Sequence, residues 1–232
     1  VMARSATAKA QIIGSAARPA EHTRNRESEL GNAVADSARD AIHADVAILN
    51  AGGIRANLEQ GALNFGAVFR VLPFENAIAK LTLSGKELKL FLRIAESGSR
   101  GYWPVSGVKL KVLELDADAP ADDLNGDGKV SPWEVNRLVE AKFADGSAIL
   151  DNKSYEVATL DFLVTGGDDF GWFMNRIPEN RKSLKTGVLM RDAFVTYLKT
   201  HASLNSEAQP LVDPANPRIK QTKAMPPRAK RT

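Results

Sequence analysis

Apolar residues recur at steps of three and four through Asn25–Ile42, placing Leu30, Val34, Ala38 and Ala41 on one face, and this spacing predicts a helix. Ile12-Ile13-Gly14 before it reads as a short opening strand. Val46–Leu49 is an unbroken apolar run, the pattern of a strand covered on both faces. It ends in the glycine-rich loop Asn50–Arg55. A short segment over Phe65–Arg70 leads to the turn Leu72-Pro73-Phe74-Glu75-Asn76, and Ala77–Leu83 then alternates as a strand. The best-signalled helix follows. Ser84 and Glu87 form a capping box, Leu88, Phe91, Leu92 and Ala95 make its apolar stripe, and Gly98 stops it. Val105–Leu115 alternates again as a strand, followed by an Asp-rich loop and a helix from Pro132. Tyr155–Val164 reads as a strand closing on Thr165–Asp169. A last helix, Ser183–Thr200, would bury Met190, Ala193, Phe194, Tyr197 and Leu198. Strands and helices that mix without strict alternation predict an α+β fold, a mixed sheet flanked by helices in a single domain.

Composition narrows the function classes. A chain of 232 residues, 44% hydrophobic and 25% charged, can bury a core without disulfides or metals. No run approaches the roughly 18 apolar residues of a membrane-spanning helix. With no cysteine, a disulfide scaffold, a zinc–thiolate site and a cysteine nucleophile are all excluded. The net charge of +3 divides unevenly: Arg218, Lys220, Lys223, Arg228, Lys230 and Arg231 lie after Pro214 with no acid among them. Without those six, 25 basic residues face 28 acids, a balance of −3. A basic footprint confined to a Pro-rich tail argues against a nucleic-acid partner, which needs the charge on a folded face. The domain is therefore expected over residues 1–213, with a flexible basic tail over 214–232. Val1–Arg4 has no leader character, so an exported parent would carry its leader upstream.

Two glycine loops, each closing a strand, are the first candidates for chemistry. Glycine lets a backbone approach a ligand closely, although both loops could equally be plain turns. Their company favours a ligand. The first carries Asn50, Gly53 and Arg55, the last a planar fork suited to anionic oxygens. The second carries Gly167 and Asp168, an acceptor for a sugar hydroxyl pair, and follows Phe162, a stacking surface. Cation, carboxylate and aromatic together describe a nucleotide.

Arg26-Glu27-Ser28-Glu29-Leu30-Gly31-Asn32 with Asp36, Asn50–Arg55, Leu72–Asn76, Phe162–Asp168 and Arg218-Ile219 stand in the order found in the C-terminal domain of the 5′-nucleotidase family. The chain resembles that domain over roughly residues 10 to 220. The resemblance implies a nucleoside-binding domain that presents phosphate to a dimetal phosphoesterase domain preceding it, its divalent metal pair held there and not here. It implies Phe162 as one face for the base, Tyr102 or Trp103 as the other, Asp168 on the ribose hydroxyls and Arg55 on the nucleotide. The competing readings put Phe162 in the core, Arg55 in a structural salt bridge and Trp103 as a buried anchor. Glu75 stands where the family usually has glycine and would repel phosphate if turned inward. The chain alone should be inactive: His22, His43 and His201 are its only histidines, and no metallophosphatase, serine-hydrolase or P-loop motif is present. The alternative is a stand-alone nucleotide-binding module. A periplasmic, extracellular or cell-surface setting is expected.

One motif stands apart from the resemblance. Asp123, Asn125, Asp127, Lys129 (through its carbonyl), Ser131 and Glu134 fill positions 1, 3, 5, 7, 9 and 12 of a calcium loop, with Gly128 at the turning position 6. The expectation is a structural Ca²⁺ held by an EF-hand-like loop inserted at about 118–141, with Pro132 opening an exiting helix through Leu138.

Overall fold

A buried layer lies on each face of one five-stranded sheet, and the two-residue period of its strands divides the core between them. The computed structural model describes residues 10–201 and 203–224. In β2 (Val46–Ile48), Val46 and Ile48 join one cluster while Ala47 and the following Leu49 join the other. In β4 (Ile78–Ser84), Ile78 faces the second cluster and Ala79, Leu81 and Leu83 the first. Every residue of β2 is buried, as the unbroken apolar run predicts. With β5 (Val105–Ser106), β8 (Ser154–Leu160) and β9 (Lys182–Ser183), the sheet runs β5-β2-β8-β4-β9. β2 and β8 are parallel and the other neighbours antiparallel, so the sheet is mixed.

One face is covered by α1 (Glu29–Ala41), α2 (Phe65–Val71) and α6 (Met190–Thr200). The other is covered by α3 (Gly85–Ala95), by Tyr102, Trp103 and Phe170, and by Phe173 of α5 (Gly171–Met174). The Ser84–Glu87 capping box forms, with Glu87 Oε2 accepting from Ser84 N at 2.7 Å. Two smaller sheets complete the α+β domain. β1 (Ile12–Ala16) pairs with β3 (Gly61–Asn64), and β6 (Val108–Leu113) stands between β7 (Leu138–Phe143) and β10 (Ile219–Thr222). Among the described residues no helix is long and apolar enough to cross a membrane.

Several elements depart from the expectations, each for a visible reason. The first helix starts at Glu29, not Asn25, because the Ser28 hydroxyl caps Gly31 N at 3.2 Å. The strand expected over 105–115 breaks at Gly107, whose left-handed φ of 81° brings it against the Asp45 carbonyl, where a Cβ would stand 2.2 Å away. The helix expected from Ser183 starts only at Met190. Residues 184–189 instead run beside β4, where Ile78 N bonds Val188 O at 2.8 Å and the Thr186 hydroxyl donates to Ile78 O. The strand expected to reach Val164 stops at Leu160, and α4 (Asp161–Val164) turns Phe162 outward. The tail expected from Pro214 is structured as far as β10, which pairs in parallel with β6. Arg218 anchors it through a two-point ion pair to Asp36, at 2.7 and 2.8 Å. Residues 225–232 of that tail lie outside the described residues.

The acidic insertion has neither flanking helix. Pro132–Glu134 is a single 3₁₀ turn, and the chain then enters β7. Asp123 accepts from the amides of Gly126, Asp127 and Gly128 at 2.7–3.1 Å. Glu134 is fully buried and accepts from Leu124, Asn125 and Ser131 at 2.7–3.2 Å. Both carboxylates thus hold the loop's own backbone, and among the described residues no three His, Asp or Glu side chains gather to hold a metal.

Candidate functional site

The parallel pairing of β2 and β8 sends both strands out at one edge of the sheet, the edge where open α/β sheets bind ligands. Antiparallel β4 begins at that same edge, with Ile78 opposite Leu160. Three loops therefore meet there, the one after β2, the one after β8 and the turn before β4. Together they line a cleft of about 200 Å³ formed by Asn50, Gly52, Gly53, Phe74, Asn76, Phe162 and Asp168.

Its walls are aromatic and solvent-facing. Phe162 is 39% exposed and Phe74 is 50% exposed, an unusual condition for two phenylalanines that share one cleft. Gly167 lets the Phe162 ring lie against its own backbone, since a Cβ there would meet the ring Cζ at 2.4 Å. Phe74 was not singled out by the sequence, although the turn that carries it was. Its signal was an aromatic in a Pro-containing turn immediately before a strand.

Tyr102 and Trp103, expected as the second aromatic face, lie elsewhere. Both are 2% exposed, and neither lines the cleft. The Tyr102 hydroxyl donates to Leu113 O at 2.8 Å, and Trp103 packs on Phe170 with centroids 5.1 Å apart. They are anchors of the core beneath α3, which corrects the expectation.

The polar end of the cleft centres on Asp168. Asn50 Nδ2 donates to Asp168 Oδ2 at 2.8 Å, and Arg100 Nε lies 3.3 Å from Asp168 Oδ1. Arg100 also pairs with Asp169, at 3.0 Å. Asp168 and Asp169 adopt left-handed φ values of 52° and 69°, backbone strain of the kind that concentrates at functional sites. The Asn50 side chain is 6% exposed, yet its Oδ1 is buried without a hydrogen-bond partner.

Cations stand at the mouth. Arg55 is exposed and touches the protein only lightly, through Nη1 to Gly52 O at 3.3 Å. Arg24, which no motif pointed to, is also exposed, with Nη2 3.8 Å from where a Gly52 Cβ would stand. His22 lies close by, its ring nitrogens buried beside the backbone of Ala51. Burial first, then the charges of Arg24 and Arg55, push its pKa below the ordinary value. Glu75 is exposed and does not line the cleft.

These features define an α+β domain with an aromatic, carboxylate-bearing cleft at the carboxyl edge of its sheet and arginines at the entrance. The chain belongs to the family described as 5′-nucleotidase, C-terminal domain, whose family model matches residues 2–175. It is 33% identical over 161 residues to the trifunctional nucleotide phosphoesterase protein YfkN of Bacillus subtilis, covering 66% of this chain and 10% of that protein. To protein UshA of Escherichia coli it is 24% identical over 179 residues, 77% of this chain and 28% of the relative. The fold matches a 5′-nucleotidase precursor of Thermus thermophilus with a TM-score of 0.73 at 24% identity, over 94% of this chain and 41% of the other. The chain thus spans only a tenth to about a quarter of these curated relatives.

Proposed function

We propose that this chain is the nucleotide- or nucleoside-binding domain of a 5′-nucleotidase-type phosphoester hydrolase, presenting substrate to a dimetal catalytic domain outside it. The observation that carries the reading is one cleft lined by two solvent-facing phenylalanines, with a carboxylate at its end. The base stacks between Phe74 and Phe162. Asp168, steadied by Asn50 and Arg100, accepts from the ribose hydroxyls, and Arg55 with Arg24 attracts the phosphate. This chain supplies binding and orientation only; the metal pair and the phosphoryl chemistry belong to the other domain. The compartment that suits such a parent is the periplasm or the cell exterior. Calorimetry with a nucleoside and nucleotide panel tests the reading. Phe74→Ala and Phe162→Ala should each weaken binding by about 1–3 kcal/mol, the worth of a base–aromatic stack. Unchanged affinity in both variants refutes the base site. A stand-alone binding module would differ in having no phosphoesterase domain in its parent polypeptide.

We also propose that the loop of Asp123, Asn125, Asp127, Lys129, Ser131 and Glu134 takes Ca²⁺ as a structural ion. The support is the complete ligand spacing, together with an Asp123 carboxylate that already wraps the loop around itself. Loading requires Glu134 to release the amides of Leu124 and Asn125. With a dissociation constant of about 10⁻⁴–10⁻³ M, 10 mM calcium should raise the melting temperature by about 3–10 °C. Glu134→Gln should abolish most of that rise, and a melting curve indifferent to calcium and chelator refutes the site.

A further inference from the structure

The turn that carries Phe74 and Asn76 is held from outside its own segment. Arg191, the second residue of α6, donates Nε to Leu72 O at 2.9 Å and Nη2 to Pro73 O and Phe74 O, each at 3.0 Å. Three consecutive carbonyls thus converge on one guanidinium. The side chain is 8% exposed, and its Cζ lies 4.5 Å from the centroid of the Phe69 ring on α2. The far end of the turn is tied to the same place, with Met190 N donating to Asn76 O at 2.9 Å. A buried cation whose described hydrogen bonds all go to main-chain carbonyls gains no charge pairing from them, and a methionine of similar reach would avoid its desolvation. What the guanidinium supplies is direction. Its planar fork fixes three peptide units at once, which an ammonium on a flexible stem does not.

We propose that Arg191 is a positioning residue for ligand recognition: it locks the Leu72–Phe74 backbone so that Phe74 presents its ring to the cleft shared with Phe162. Arg191 lies beyond residues 2–175, the stretch matched by the family model. The inference rests on the nucleoside-binding reading above.

The test is calorimetry of this chain with adenosine, guanosine, cytidine and uridine, alongside thermal melts. The variants are Arg191→Met, Arg191→Lys, Phe74→Ala and the Arg191→Met/Phe74→Ala double. Arg191→Met should weaken nucleoside binding about five- to tenfold, within the range of coupling between contacting residues. Arg191→Lys should recover part of that loss. In the Phe74→Ala background Arg191→Met should have no further effect, because the ring it positions is gone. A cooperatively melting Arg191→Met variant with wild-type affinity overturns the inference. So does an equal loss in both backgrounds, which marks a merely structural role. Should Arg191→Met fail to fold, Phe69→Leu and Arg191→Lys carry the same comparison against Phe74→Ala. Nucleoside binding insensitive to Phe74→Ala removes this inference alone if Phe162→Ala still weakens it. A wild-type chain that binds none of the four nucleosides removes the underlying reading as well.

Discussion

Gly167→Ala separates the fold from the proposed base site. Gly167 has no left-handed φ, so an alanine there incurs no backbone strain. Its Cβ, however, would stand 2.4, 2.5 and 2.6 Å from Cζ, Cε1 and Cε2 of Phe162. Ordinary contact begins near 3.4 Å, leaving the ring about 1 Å too close at its far end. The ring is partly exposed and free to swing away, so the collision is relieved by moving Phe162 and not by moving the core. The stability cost should therefore stay within about 1 kcal/mol, below the 1–3 kcal/mol typical of overpacking in a sealed interior. A displaced ring forfeits much of a stack worth about 1–3 kcal/mol, so nucleoside affinity should fall roughly tenfold. Urea unfolding and calorimetry on the same sample read the two effects. A stable variant with unchanged affinity would show that the present position of the Phe162 ring is irrelevant to binding. A loss of several kcal/mol of stability would show that the ring is locked, and the steric argument wrong.

Further outcomes follow from other parts of the molecule. Supplied with Mn²⁺, Zn²⁺ or Mg²⁺, this chain should hydrolyse no nucleotide above background, and turnover that survives repeated purification would refute the division of labour. Burial raises the pKa of Glu96 well above the usual carboxylate range, so the folded state holds its proton more tightly than the unfolded state does. Its contribution is full below about pH 4.5 and is lost as pH rises toward the folded value; Glu96→Gln should flatten that decline in pH-dependent melts. Asp36→Ala strands the largely buried Arg218 guanidinium and should cost about 2–4 kcal/mol in denaturant unfolding, discounted for its residual exposure. A loss under 0.5 kcal/mol would make that ion pair dispensable.

What the sequence disclosed was set by how local each signal is. β2 and the capped α3 were legible because a short apolar run and an S-x-x-E box are complete within a few residues. β7 was not, although Val139-Glu140-Ala141-Lys142-Phe143 alternates apolar and polar residues: the calcium-loop spacing and Pro132 just before it suggested a helix running through Leu138 instead. The loops after β2 and β8 declared themselves through glycine, and the parallel pairing of those strands brings Asn50 and Asp168 into hydrogen-bond contact. Tyr102 and Trp103 misled because an aromatic pair before a strand looks the same whether it faces a ligand or a core. Phe74, Arg24 and Arg191 acquire their roles only through partners far away in sequence, and no spacing rule reaches that distance.

The C-terminal strand also governs how this domain can be made. β6 is flanked on one side by β7, which follows within 25 residues, and on the other by β10, which arrives more than 100 residues later. During synthesis at about 5–20 residues per second, the open edge of β6 waits several seconds or more for Ile219–Thr222 to leave the ribosome. Until then it offers unpaired amides and carbonyls to any extended chain nearby, including another nascent copy. The two lysines of β6, Lys109 and Lys111, carry charge along that interim edge, a common means of discouraging mispairing. An expression boundary placed before residue 218 would make the interim state permanent, so aggregation during production should track that cut more closely than any loss in the cleft.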